Sequence, residues 1–403
     1  MGRPEPRRPT EPSPREPERL FTGYRGRLSV TLAVGWLALQ LGRQTIPPLL
    51  PRITEDLAVS PFAVGTALTL MWATYALVHY PSGRFADALS RKTVIVAALA
   101  VSVAGFTVLA FATSFQLLTA GLMLTGVGTG LYFVSARALL SDTFTRRRSQ
   151  AFGLHSGAGN VGSTLAAGTT LVVVAVTVWQ VAFLPVVLLL LVVVVSVHLV
   201  LREPYVVSGV GLELRSTGAR LRSNRAAVEV ALVFGLFSFV VQGMLNFLPS
   251  FLQFERAFSE GLASGGFAAM FVVAIVVMPL AGRFGDRIAR VPVAAAALGV
   301  AVVGFVAILV APSVPLVLGS ILLFSVGIWA FPPVMQVHLM GQFPEASMGG
   351  DFGALRMLYI AFGSLGPMYV GFIAEVAGYT TAFAGLVVVL AVAAVLTARL
   401  ALG

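Results

Sequence analysis

Twelve long apolar runs, separated by short charged loops, make up most of this 403-residue chain. A helix rises about 1.5 Å per residue, so about 20 residues cross a hydrocarbon core roughly 30 Å thick. A backbone in lipid must satisfy its own polar groups, which leaves only helices or a closed barrel of strands. A barrel strand needs roughly 9–11 residues; these runs are about twice that. They predict helical spans over 28–50, 61–82, 92–111, 115–141, 149–175, 179–201, 226–250, 262–282, 292–311, 314–340, 349–373 and 380–401. Only 11% of residues are charged, against about 25% in soluble domains. The expected fold is an all-α, multi-pass membrane protein.

Charge alternates from loop to loop. Arg84, Asp87, Arg91 and Lys92 follow the second span, and Asp142 with Arg146, Arg147 and Arg148 follow the fourth. Residues 202–225 carry five arginines against Glu203 and Glu213, and Arg283, Asp286, Arg287 and Arg290 follow the eighth span. The intervening loops are neutral or acidic. Lysine and arginine favour the cytoplasmic side, so both termini and the 202–225 linker are expected in the cytoplasm, with the chain in the plasma membrane. One loop dissents, since Glu345 and Asp351 lie where positive charge is expected. The net charge of +10 follows these loops, so no nucleic-acid partner is expected. The chain has no cysteine, and no cofactor or metal centre is expected. Residues 1–27, rich in proline, arginine and glutamate, read as a disordered cytoplasmic tail and not as a signal peptide. Two six-helix halves follow, 28–201 and 226–403, joined by the basic linker.

Residues 83–91 read GRFADALSR, and 282–290 read GRFGDRIAR, 199 positions later. Each follows the second span of its half. An internal repeat of this kind means that the two halves share one fold. The repeated loop, placed after spans 2 and 8 across a basic linker, resembles the signature loop of the major facilitator superfamily. The resemblance covers about residues 28–401. It implies two parallel six-helix halves that rock by alternating access around a site between them. It also implies a cytoplasmic brace at Gly83, Arg84, Asp87 and Arg91, with Gly282, Arg283, Asp286 and Arg290 as a weaker echo. Asp142 stands where the family places an acid that pairs with the loop arginine, here Arg84 or Arg91. Ser90 departs from the family's usual glycine.

Ionisable side chains inside a span cost about 2.5–3.5 kcal/mol even on the milder scales, and they mark functional sites. Arg43, Arg137 and Arg356 qualify. Arg43 is expected to clamp an anion. Arg137 has Asp142 near it, and Arg356 has Asp351 as a candidate partner. The 199-residue offset relates Arg43 to Gln242 and Arg137 to Gln336, so amides replace cations in the second half. Asn246 lies one turn from Gln242 on the same face. Arg43 eight residues before Pro51, together with Arg137 and with His155 and Asn160 in the stretch HSGAGNVG, resembles the superfamily's organic-anion branch. That branch includes anion:cation symporters and organophosphate antiporters. The antiporters carry a second arginine in the seventh span, where this chain has amides, so a singly charged anion is the expectation.

No Asp or Glu lies deep in any span. Exporters of cationic drugs commonly use one, and the superfamily's Gly-Pro antiporter pattern is absent from residues 153–163. A coupling proton would be carried by His79, His155 or His338, which titrate in the useful range. Small-residue pairs, Gly126 with Gly130 and Gly153 with Gly157, suggest close helix packing. No metal-spaced cluster, nucleophile motif or paired acids points to an enzyme. The functional expectation is a secondary transporter for a small solute, an organic anion first, acting as a monomer. The alternative is a drug or lipophile efflux antiporter, and less so a non-transporting sensor.

Overall fold

Breaks in the helices fall where the backbone chemistry demands them. The computed structural model describes residues 19–174, 178–209, 211, 218, 220–222, 224–343 and 348–402. The first 18 residues of the expected tail, and Glu345, lie outside the described residues. Helix α1 runs Gly23–Asp56, starting before the expected residue 28, and it continues unbroken through Pro47, Pro48 and Pro51. The second span is two helices, α2 (Pro61–Leu77) and α3 (His79–Ala88). Pro81 has no N–H to offer residue 77 and its ring crowds that carbonyl, so the break falls at Val78. Spans three to six are α4 (Arg91–Ala110), α5 (Phe115–Thr143), α6 (Arg148–Val174) and the 3-10 turn Trp179–Phe183 leading into α7 (Leu184–Val200). The second half holds α8 (Arg225–Phe254), α9 (Glu260–Arg287), α10 (Arg290–Val310), α11 (Val314–Met340), α12 (Met348–Gly363) and α13 (Leu365–Leu402). Pro367 sits four residues after the end of α12 and repeats the break of the second span. Gly378, at φ 85°, divides α13 into the ends of spans eleven and twelve. That left-handed conformation suits glycine, and Glu255 accepts from the next backbone N–H, that of Tyr379, at 2.8 Å.

Side chains cap the helix starts, as the orphan N–H groups there require. Ser60, Ser90, Ser114, Asn224 and Ser259 accept from the backbone N–H three residues on. Nine helical stretches among the described residues are long and apolar enough to cross a membrane, the last of them containing two spans. α1 and α6 fall short because they carry polar side chains in mid-span: Gln40, Arg43 and Gln44 on one, His155, Ser156 and Asn160 on the other. These two helices pack along each other, so the most polar pair in the molecule is mated.

The halves repeat each other's packing. Span three lies on four as nine lies on ten, two on four as eight on ten, and one on five as seven on eleven. Between halves, span two meets eleven and span five meets eight. The seam is tightest on the side away from the motif loops. There an added Cβ at Gly65 would sit 2.5 Å from the Pro367 carbonyl, and one at Gly371 would sit 2.3 Å from that of Pro61. Thr69 Oγ1 accepts from the Met368 N–H at 3.1 Å, and Glu375 caps the N–H of Phe62 across the seam at 3.1 Å. Arg52 donates to both oxygens of Glu260. Toward the motif side, Gly83, Gly153, Gly157, Gly282, Gly350 and Gly353 have nothing within 4 Å of an added Cβ. The Gly126 and Gly130 pair packs against the backbone of Met71 and Tyr75, as expected. On α6 that role belongs to Gly159 and Gly162, which approach Trp36 and Leu37, and not to Gly153 and Gly157. The halves are therefore tightly sealed at the face away from the motif loops, while on the motif side α12 packs on α3.

Candidate functional site

Three arginines from the two halves converge. Arg43 lies twenty residues into α1, roughly 30 Å from its start and roughly 20 Å from its end at 1.5 Å per residue. It is 8% exposed, too deep to snorkel to either face. Its guanidinium carbon lies 4.6 Å from the ring centre of Trp72 and 5.3 Å from that of Tyr75. Those two residues are three apart on α2 and so share a face. Arg137 on α5 donates from Nη2 to the Ser156 hydroxyl at 2.9 Å. It also lies 4.7 Å from the Phe133 ring and 5.1 Å from Phe152. Arg356, reaching from α12 in the other half, lies 4.7 Å from the same Phe133 ring.

None of the three has a carboxylate partner among the described residues. Arg43 Nε and Nη1, Arg137 Nε, Arg356 Nε and Trp72 Nε1 are buried with no hydrogen-bond acceptor among the described residues. A cation–π contact contributes about 0.5–2 kcal/mol, while a mid-membrane arginine costs about 2.5–3.5 kcal/mol on mild scales. The rings offset part of that cost and leave the donors unused. Such a site is built for negative charge.

Asp351, the candidate partner of Arg356, is taken elsewhere. The linker's Arg220 donates from Nη2 to its Oδ1 at 2.8 Å and from Nε to its Oδ2 at 3.2 Å. This also accounts for Asp351 on an otherwise basic side, where it is 2% exposed. Arg137 pairs with Ser156, and Asp142 pairs with Arg91, Nε to Oδ2 at 3.1 Å. Gln242 and Asn246 are buried at 4% exposure each but bond along their own helix. Gln242 donates to Ser238 Oγ at 2.9 Å, and Asn246 donates to the Gln242 carbonyl at 2.7 Å. Gln336 is half-buried on α11. His155 stacks on Trp36 with centroids 5.4 Å apart, and Asn160 reaches Met278 Sδ of the other half at 3.8 Å. His79 Nδ1–H donates to the Tyr75 carbonyl at 2.7 Å, which fixes its ring beside the cluster. His338 lies at the motif-side end of α11.

Sequence reasoning missed Trp72, Tyr75, Phe133 and Ser156. Part of that was readable, because Phe133 lies four residues before Arg137 and so shares its face. The pairing of α2 with α1 was not.

The repeated loops sit at helix ends and not in free loops. Arg84 Nε donates to the Gly211 carbonyl of the linker at 3.2 Å. Ser90 donates to the Pro204 carbonyl at 2.9 Å, and Glu203 accepts from the Lys92 N–H at 3.1 Å. Lys92 Nζ donates to the carbonyls of His198 and Leu201, at 2.9 and 2.8 Å, closing the end of α7. The Asp87 side chain lies outside the described residues. In the second copy, Arg290 approaches Asp286 at 3.7 Å across the turn between α9 and α10, and Arg283 is exposed.

The family model for the Major Facilitator Superfamily matches residues 32–359 and 266–402. The chain is 27% identical over 231 residues to multidrug resistance protein MdtL of Klebsiella pneumoniae, covering 57% of this chain and 59% of that protein. Across the MdtL relatives, the chain spans between 28% and 59% of their length. Its fold is that of a bacterial homologue of the human lysosomal transporter Spinster, inward-facing and occupied, with TM-score 0.81 at 16% identity, covering 93% and 96% of the two chains. The human organic anion transporter MFSD10 superposes with TM-score 0.71 at 20% identity, covering 92% and 99%. With its paired halves and buried cations between them, the chain belongs to the major facilitator superfamily.

Proposed function

We propose that the chain carries a small organic anion across the plasma membrane, with both termini and the linker in the cytoplasm. The observation that carries this reading is the convergence of Arg43, Arg137 and Arg356 with unused donors and no carboxylate partner among the described residues. Aromatic walls at Trp72, Tyr75 and Phe133 hold the guanidiniums in place before the solute arrives. That preorganisation lowers the ordering cost of binding. On this orientation the motif side faces the cytoplasm, and the seal of Gly65, Gly371, Glu375 and the Arg52–Glu260 pair faces outward. The loop of Arg91 with Asp142 braces the cytoplasmic ends when the halves rock. Gln336 and the unbonded Oε1 of Gln242 supply hydrogen bonds from the second half, and His79 packs on the Tyr75 and Phe133 rings beside the arginines.

The second reading, efflux of a drug or lipophile, is favoured by the name of the MdtL relatives and by the aromatic lining. A thermal-shift screen of purified protein separates the two. Carboxylates, organophosphates, sugars and lipophilic cations are each added in excess. A ligand at 100 times its dissociation constant stabilises the fold by about 2.7 kcal/mol. Anion hits that vanish in Arg43→Gln support the anion carrier. Hits confined to lipophilic cations and indifferent to Arg43 overturn it in favour of efflux.

A further inference from the structure

We propose that the site takes a multiply charged organic anion, one anionic group seated at Arg43 and a second at the Arg137–Arg356 pair. This rests on the anion reading above and narrows it. The sequence names three deep arginines but makes Arg43 the clamp, facing the amides of the seventh span. The fold changes that count. Arg356 has Gly157 as its repeat mate, so the 199-residue offset does not reveal it, and its candidate partner Asp351 is held by Arg220.

The three guanidiniums fall into two places. Arg43 is held against Trp72 and Tyr75. Arg137 and Arg356, from opposite halves, meet on the single ring of Phe133. Each place keeps its own unused donors: Nε and Nη1 at Arg43, and the Nε of both arginines at Phe133. Tyr75 packs against Arg43 and, edge-on, against His79, whose ring centre lies 6.0 Å from that of Phe133, so the two places are neighbours. A monoanion seated in either place leaves the other without counter-charge in a low-dielectric interior, where an unpaired charge is costly. A solute with two anionic groups on a short linker meets both. It also bridges the halves, because Arg356 belongs to one and Arg43 and Arg137 to the other. Two like-charged arginines brought together at Phe133 repel until an anion lies between them.

The test uses purified full-length protein and matched probes that differ by one charge. Succinate is compared with succinamate, adipate with its monoamide, and a phosphate monoester with its methyl ester, by isothermal titration at pH 7.5. At least one doubly charged probe is expected to bind about tenfold tighter than its partner, a difference of about 1.4 kcal/mol. That preference should fall to near parity in Arg356→Gln and in Arg137→Gln, and survive in Arg356→Lys. If the singly charged partners bind as tightly as the doubly charged ones, and lose binding in Arg43→Gln, the anion reading stands and this inference fails. If no probe of either charge binds while neutral or cationic solutes do in the class screen, both fail.

Discussion

The two halves carry nearly the same loop, GRFADALSR and GRFGDRIAR, in different surroundings. In the first half the loop is fastened. Arg84 and Ser90 bond to the linker, Arg91 pairs with Asp142, and Lys92 closes the end of α7. In the second half it is exposed, with Asp286 and Arg290 3.7 Å apart across the turn between α9 and α10. The spans differ in the same sense. Arg43 and Arg137 of the first half have Gln242 and Gln336 as repeat mates, and Lys92 has Val291. Repetition therefore builds the scaffold, and departures from it mark where charge has been placed for use. The first half supplies most of the cationic site, and the second contributes a single arginine with no cationic counterpart.

Replacing a first-half residue by its mate sharpens that contrast. Arg43→Gln should weaken binding of an anion hit about 100-fold, since a charged hydrogen-bonded group contributes about 1.5–3 kcal/mol; titration calorimetry reads this. Lys92→Met leaves two helix-end carbonyls without their donor and should cost about 2 kcal/mol of stability. Val291→Met should stay within about 1.5 kcal/mol, measured by thermal unfolding. Asp142→Asn should slow turnover about tenfold, a barrier change of about 1.4 kcal/mol, with anion affinity unchanged. Asp286→Asn should do neither, as proteoliposome uptake rates would show. The smallest effect belongs to Arg52→Gln, because the Arg52–Glu260 pair is partly exposed and such pairs are worth about 0–1 kcal/mol. An unfolding midpoint shifted beyond that range would mean that the seal depends on it more than its exposure allows.

The fold was legible because the bilayer leaves so few solutions. Run length and loop charge mark the spans, and the repeated loop divides them into halves. Helix interruptions were less so. Pro81 and Pro367 coincide with breaks, while Pro47, Pro48 and Pro51 lie in an unbroken helix. The arginines could be named from their depth, but not their partners. A guanidinium can reach several neighbours, and only the fold decides that Asp351 answers to Arg220 and that Arg356 shares Phe133 with Arg137. The aromatics escaped notice because in a chain with 28 phenylalanines a ring beside a cation looks like any other lipid-facing or core residue.

The most direct measurement is uptake by proteoliposomes of the organic anion that binds tightest, compared across wild type, Arg43→Gln, Arg137→Gln and Arg356→Gln. Saturable uptake in the wild type, lost in all three variants while their unliganded unfolding midpoints stay close to the wild type, is the expected result. Undiminished uptake in any one of the three would contradict a site built from these arginines.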